Sequence, residues 1–433
     1  MKKLAFVGFS LLLLGTVGGS AACGGDDKPI NYPQGGGDGG GGGVATDNKG
    51  GQVGVVASPD DKSELSGAAL ASYNQGFQAW MNGDLQGAKK YFKEAAEKDN
   101  KSPAPQYSLG VVLERLGDSA GAQQAFRAAF TVKPDYELAI GAYALSLAGK
   151  GALSEADTFL TDKKAKFPNS ARISTYLAEI KSLAGDHGGA QQLAQDALRM
   201  NPDYKDAMVA IARDHYRARK MELARYALQA IIDGFGDSSP ARDKENAEAN
   251  LLRGLIEREY GRRSVAFGAL EVASRRRPDL VEALVQLGSM RLEAGNATEA
   301  QPVLESAVKY GPNSAIAHLN MGDCYRLLGR AADARKEFDT ALSLDSSLGL
   351  VHYDMGLLYL FAPNIPGTSA NDQVQTAISE FEKYKTMRAK GVTDDVDDLL
   401  ARAKTKQAEL KGGTAAPAAT GTAPAAAKGD GGK

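Results

Sequence analysis

Cysteine is almost missing from this 433-residue chain: Cys23 and Cys324 are the whole supply, which leaves no disulfide framework. Histidine is nearly as scarce. His187, His215, His318 and His352 stand without an HExxH, CxxC, Walker loop or GxSxG around them, so no metal site or nucleophile is indicated and no cofactor is expected. His318 and His352, 34 residues apart, read as packing residues, since no third ligand accompanies them. An excess of one charge is lacking too. Lys and Arg number 51 against 53 Asp and Glu, the net charge is −2 and the pI is near 6.2, so no overall basic field is offered to nucleic acid or to an acidic membrane surface. The apolar run from Leu4 to Val17 is too short to span a bilayer comfortably.

What the chain does have is a period. In the stretch Pro103 to Tyr136, Gly110 sits in an apolar-periodic run, Gly117-Asp118 breaks it, and a second run carries Ala122, Phe126 and Ala129 before Pro134 stops it. That reads as helix, turn, helix, stop. Taking Gly110 as origin, equivalent origins are Gly76, Ala144, Ala178, Ala212, Gly254, Gly288, Gly322 and Gly356, with steps of 34 residues except one of 42. Twelve residues on from each of the first eight origins stands alanine, from Ala88 to Ala334. Sixteen residues on come Phe92, Phe126, Leu160, Ala194, Leu228, Leu270, Leu304 and Phe338, and twenty-four on come Pro134, Pro168, Pro202, Pro278 and Pro312. A small residue facing alanine lets two antiparallel helices approach closely, the larger residue fills the space beside them, and proline ends the second helix. A helical hairpin repeated about nine times is a solenoid.

This skeleton resembles the tetratricopeptide repeat (TPR) family over about Ala69 to Tyr384. The resemblance implies an all-α, right-handed superhelical solenoid and a surface that binds protein partners. With the origin as position 8, positions 5, 9, 12 and 13 of each first helix line the family's inner, concave face. That register implies a partner-binding groove drawn from Tyr73, Phe77, Trp80, Tyr107, Arg172, Glu179, Arg213, Tyr216, Arg217, Arg258, Asp323, Arg326 and Tyr353. In the first repeat two arrangements stay open: an aromatic mouth, or a helix turned so that its aromatics pack inward. The subgroup that grips chaperone C-termini has Lys at position 5 and Asn at position 9. No repeat here carries that pair, and the subgroup is excluded.

The rest of the chain frames the array. Residues 1–22 read as a signal peptide, with Lys2 and Lys3, the apolar run, and a small-residue end at Ser20-Ala21-Ala22. Cys23 follows, and the arrangement resembles the lipobox of bacterial lipoproteins, which implies lipid attachment at Cys23; Ser20 stands where that family usually has Leu and would also suit plain secretion. Gly24 in place of aspartate implies, by the enteric analogy, the outer membrane facing the periplasm. Residues 23–67 form a glycine-rich tether, 68–390 the solenoid, 391–410 a capping helix, and 411–433 a disordered Ala/Pro/Gly tail. Two insertions interrupt the period, near Gly234 to Asp243 and from Phe361 to Gln373. They read as surface loops, with Phe361 and Ile365 as apolar tips. Arg275, Arg276 and Arg277 read as cations at a helix end, and Cys324 as a small buried hydrophobe.

No non-repeat stretch is long enough to house a reaction, so the expectation is a binding protein and not an enzyme. The layout of lipid signal, glycine linker, long array and Ala/Pro tail resembles the TPR lipoprotein of the myxobacterial adventurous gliding apparatus, which implies a scaffold that helps assemble an envelope machine. Pilotins of pilus secretins and a subunit of the outer-membrane protein assembly machine share the general kind, and imply a pilotin-like or chaperone-like role as the alternative. An accessory module of an envelope enzyme is the third.

Overall fold

The computed structural model describes residues 65–388 and 394–412. The signal segment, Cys23, nearly all of the glycine-rich linker and the tail from 413 onward lie outside them. The described residues form nineteen helices and no strand.

The helices come in pairs. α1 (Gly67–Met81) and α2 (Leu85–Lys98) make the first hairpin, α3 (Pro103–Arg115) and α4 (Ser119–Val132) the second, α5 (Glu137–Gly149) and α6 (Leu153–Lys166) the third. Then come α7 (Ala171–Leu183) with α8 (His187–Met200), α9 (Lys205–Arg217) with α10 (Met221–Ile232), α11 (Ala247–Glu259) with α12 (Arg263–Arg276) and α13 (Val281–Glu293) with α14 (Ala297–Tyr310). The series ends with α15 (Ala315–Leu327), α16 (Ala331–Leu344), α17 (Gly349–Phe361), α18 (Ala370–Met387) and α19 (Val396–Gly412).

Side-chain size sets the crossing. A β-carbon built at Gly110 of α3 would stand 2.5 Å from the Phe126 ring of α4, and Gly356 meets Phe381 in the same way. Where the first helix carries Ala144, Ala178 or Ala212, the second offers Leu160, Ala194 or Leu228 in place of phenylalanine. The turn between paired helices needs one residue with positive φ, a backbone region that suits glycine. Gly117 fills it at φ 80°, and in the fifth hairpin Arg219 fills it at φ 60°, the one non-glycine with positive φ among the described residues. Prolines act as their spacing predicts: α4, α6, α8, α12 and α14 each end two residues before one.

The chain divides into two compact units, the first running to Leu328 and the second from Gly329. In the first, the ribbon of stacked hairpins comes round on itself, so that the Tyr310 hydroxyl at the end of α14 donates to the Met81 carbonyl at the end of α1 (2.7 Å). The 42-residue step loosens the stack between the fifth and sixth hairpins. A cleft of about 410 Å³ opens there between α10 and α11, with Arg253 and Glu257 on the α11 wall. The equivalent residues of the second hairpin are Leu109 and Leu113.

In the second unit, α17 and α18 pack through Gly356 and Phe381, and α19 buries Val396, Leu399, Leu400 and Ala403. Lys406 of α19 donates to the Leu360 carbonyl (3.0 Å). Of the two apolar tips expected in the second insertion, Phe361 is exposed beneath Arg402, whereas Ile365 is buried. The inserted loop folds back over its own hairpin, so it presents one apolar side chain and not two.

Candidate functional site

The inner side of the first unit is built from the first helices of successive hairpins, and on α7, α9 and α11 it carries a chain of ion pairs. Arg213 of α9 reaches both neighbours: Nη1 lies 3.3 Å from Glu179 Oε2 on α7, and Nη2 lies 3.1 Å from Glu248 Oε2 on α11. One turn further along α9, Arg217 donates to the other Glu179 oxygen (2.5 Å) and to Ser182 Oγ (3.1 Å). Glu179 therefore faces two guanidinium groups. Tyr216 donates to Glu259 Oε1 of α11 (2.8 Å), and Arg258 carries the series on to Glu293 and Gln286 of α13. At the other end Arg172 of α7 sits 3.8 Å from Glu137 of α5.

Burial opposes ionisation of Glu179, but Arg213 and Arg217 more than offset it and hold its carboxyl down at about 2. Asp206, at the start of α9, moves the other way: burial raises its pKa and Glu248 nearby adds to the effect, against the pull of Arg172. Burial also pushes up the hydroxyls of Tyr176 and Tyr204. Arg172, Tyr176, Glu179, Tyr204, Asp206 and Arg213 surround a cavity of about 50 Å³. That is room for a water or two. Arg172, Arg213 and Arg217 nonetheless keep 23%, 24% and 27% of their side-chain surface accessible.

Other residues expected in the groove lie elsewhere. Tyr73 and Tyr107 are buried, not offered to an open face: Tyr73 stacks on Phe92 and shares a 2.8 Å hydrogen bond with Ser108 of the next hairpin, and Tyr107 packs on Phe126 and Tyr136. Trp80 is buried against Tyr310, and Phe77 is half-buried over the same core. The first repeat thus takes the second of its two arrangements, aromatics packed inward. Asp323 and Arg326 pair with each other along α15 (2.8 Å) and do not join the ladder of α7 to α11. Tyr353 belongs to the second unit, where it stacks on Phe381 and Tyr384 and donates to Asp395 Oδ1 (2.7 Å). Among the histidines, His187 bonds to Asp214 (2.8 Å), His318 contacts the Pro312 carbonyl (3.1 Å) and His352 pairs with Glu380 (2.6 Å). No cluster of three metal-ligating side chains occurs among the described residues. Cys324 is buried, with its thiol on the Ala297 carbonyl.

Three stretches, residues 73–137, 184–240 and 285–348, match the model of a family described as tetratricopeptide repeat. These are tetratricopeptide repeats. Among solved structures, the hetero-tetramer Cut9-Hcn1 of the APC/C is similar at 14% identity and TM-score 0.50, covering 79% of this chain and 78% of that chain. Human IFIT1, solved as a dimer with PPP-AAAA, is similar at 15% identity and TM-score 0.45 over 81% of this chain and 85% of that one. YrrB, described as a TPR protein with an unusual peptide-binding site, is similar at 16% identity and TM-score 0.32 over 45% of this chain and 96% of that one. At such identities the likeness concerns the fold. No curated protein matches the sequence, and the comparisons indicate no enzyme family.

The TPR register explains which residues the sequence misplaced. Position 5 of the first helix abuts the neighbouring hairpin, and Tyr73, Tyr107, Val209, Leu251 and Val285, all at position 5, are buried there. Position 9 is where Glu179 and Arg213 meet, one period apart. Glu248 escaped notice because the long step gives it position 2, so register alone pairs Arg213 with Leu255. Arg277 was read as a helix cap, yet it also clasps Asp279 through two buried bonds of 2.7 and 2.8 Å. A cation and a carboxylate two residues apart, flanking Pro278, were the available signal.

Proposed function

We propose that this chain is a membrane-anchored adaptor of the cell envelope, which captures a segment of a protein partner on the inner face formed by α7, α9 and α11 and so helps hold an envelope assembly together. The observation that carries the reading is the accessible quarter of Arg172, Arg213 and Arg217, three arginines on two consecutive hairpins, of which Arg172 and Arg213 line one cavity. Arginine in a partly desolvated recess is a common energetic anchor of protein interfaces. The lipid signal ending at Cys23 and the glycine-rich tether supply the membrane half of the reading, and the outer membrane is the address they favour.

Charge reversal at Arg213 is a poor test, because it would set a third carboxylate against Glu179 and Glu248. Arg172→Gln with Arg217→Gln leaves Arg213 to neutralise Glu179. In affinity capture from crosslinked envelopes, this double variant should recover its specific partner at least tenfold less well than the parent, at unchanged helicity. Equal recovery by a folded variant would end the case for the inner face.

A further inference from the structure

A cavity of about 50 Å³ is far too small for a polypeptide strand, since binding pockets for even small ligands run to several hundred. Yet the residues around it belong to a ribbon whose ends touch. The contact joins the C-terminal ends of α1 and α3 to the turns before α13 and after α14. Tyr310 donates to the Met81 carbonyl across 229 residues of chain, and Asn313 Nδ2 donates to the Arg115 carbonyl (3.0 Å) across 198. Arg115 in turn donates to the Asp279 carbonyl (3.3 Å), lies 3.6 Å from the Asp279 carboxylate and sits over the Trp80 ring, whose other neighbour is Tyr310 at 6.4 Å. The glycines of the first two turns permit the approach: a β-carbon at Gly83 would strike the Lys309 side chain, and one at Gly117 would stand 2.9 Å from the Asn313 amide.

We infer that this seam is a latch, and that its opening widens the ring and brings the inner face of α7, α9 and α11 within reach of a partner segment. The inference takes the inner face to be the capture surface, as proposed above. Two features make the seam the place that gives. Its hydrogen bonds from Tyr310, Asn313 and Arg115 run to backbone carbonyls at helix ends and in a turn, which water can satisfy once the contact parts, and the Asp279 carboxylate then keeps Arg277 as its partner. In a solenoid each hairpin otherwise touches only its neighbours, so parting the seam breaks no hairpin interface. The polar cleft between α10 and α11 supplies the matching hinge. There Arg225 holds Glu257 (3.1 Å) and Arg253 holds Asp233 (3.0 Å) on the open side, while Leu228, Ile231 and Ile232 of α10 keep a buried apolar contact with Leu252 and Ile256 of α11 about which the two helices can turn.

Trp80 is the only tryptophan in the chain and lies buried in the seam, so its fluorescence reports opening directly. The test uses the full chain with Cys23→Ser, and Thr175→Cys as a reporter on the cavity wall. Adding Tyr310→Phe and Asn313→Ala should raise acrylamide quenching of Trp80 and the rate of maleimide labelling at position 175 together, each by about threefold or more, with helicity and melting preserved. A disulfide clamp, Gly83→Cys with Lys309→Cys, joins the two sides; on a chain with threonine kept at 175, oxidation should depress Trp80 quenching and slow amide hydrogen exchange on α7 and α9, and reduction should restore both. Quenching that rises without faster labelling, or exchange indifferent to the clamp, would overturn the gating. No change in either probe for the loosened seam would overturn the latch itself. No partner enters these measurements, so their failure leaves the capture reading standing, and failure of capture leaves the latch standing.

Discussion

Glycine opposite phenylalanine is the smallest unit on which the architecture rests. At Gly110 the missing β-carbon is the space that Phe126 occupies, and Ala122 and Ala129 of α4 are fully buried beside it. Gly110→Ala should therefore cost about 1–3 kcal/mol in urea unfolding through overpacking, and Phe126→Leu on its own a comparable amount through the space it leaves. Because the third and fifth hairpins pair alanine with leucine at these same positions, the double variant should be more stable than the sum of its parts. Strict additivity would mean that the two side chains do not share one space. This much was legible in the sequence, because size at a helix crossing is written in the residues that cross.

At the scale of the helix, the sequence was read well where neighbours follow the period and badly where they do not. The prolines and the turn glycines obey a step of 34, and so do Glu179 and Arg213, which meet across it. Glu248 and the clasp of Arg277 with Asp279 do not, since one depends on a longer connection and the other on a contact from the far side of the ring. Tyr73 and Tyr107 were misread for a different reason: a register tells which face a residue shares, not whether the adjoining hairpin covers it. The ladder of α7, α9 and α11 has a pH signature. Glu179 has a folded pKa of about 2, below that of the unfolded chain, so its contribution is complete above the ordinary carboxylate range and is lost as pH falls through that range toward 2. Glu179→Gln should cost on the order of 2–3 kcal/mol at pH 7. The gap to the parent in urea melts should narrow steadily below pH 4.5, and a gap that stays constant to pH 2.5 would show that Arg213 and Arg217 do not act through the Glu179 charge.

At the scale of the whole chain, the reading joins a lipid signal and a tether to a solenoid that holds partners. Cys23→Ser should move the protein from the membrane to the soluble fraction on cell fractionation, and retention in the membrane would remove lipidation as its attachment. The closed ribbon has one more consequence. A stacked array normally has two loose ends, and a terminal hairpin with a single neighbour frays first. In the second unit α19 covers such an end. The first hairpin has no such helix among the described residues, but the tip of α1 leans on the seventh, so an injury to α14 reaches α1 without passing through the five hairpins between them.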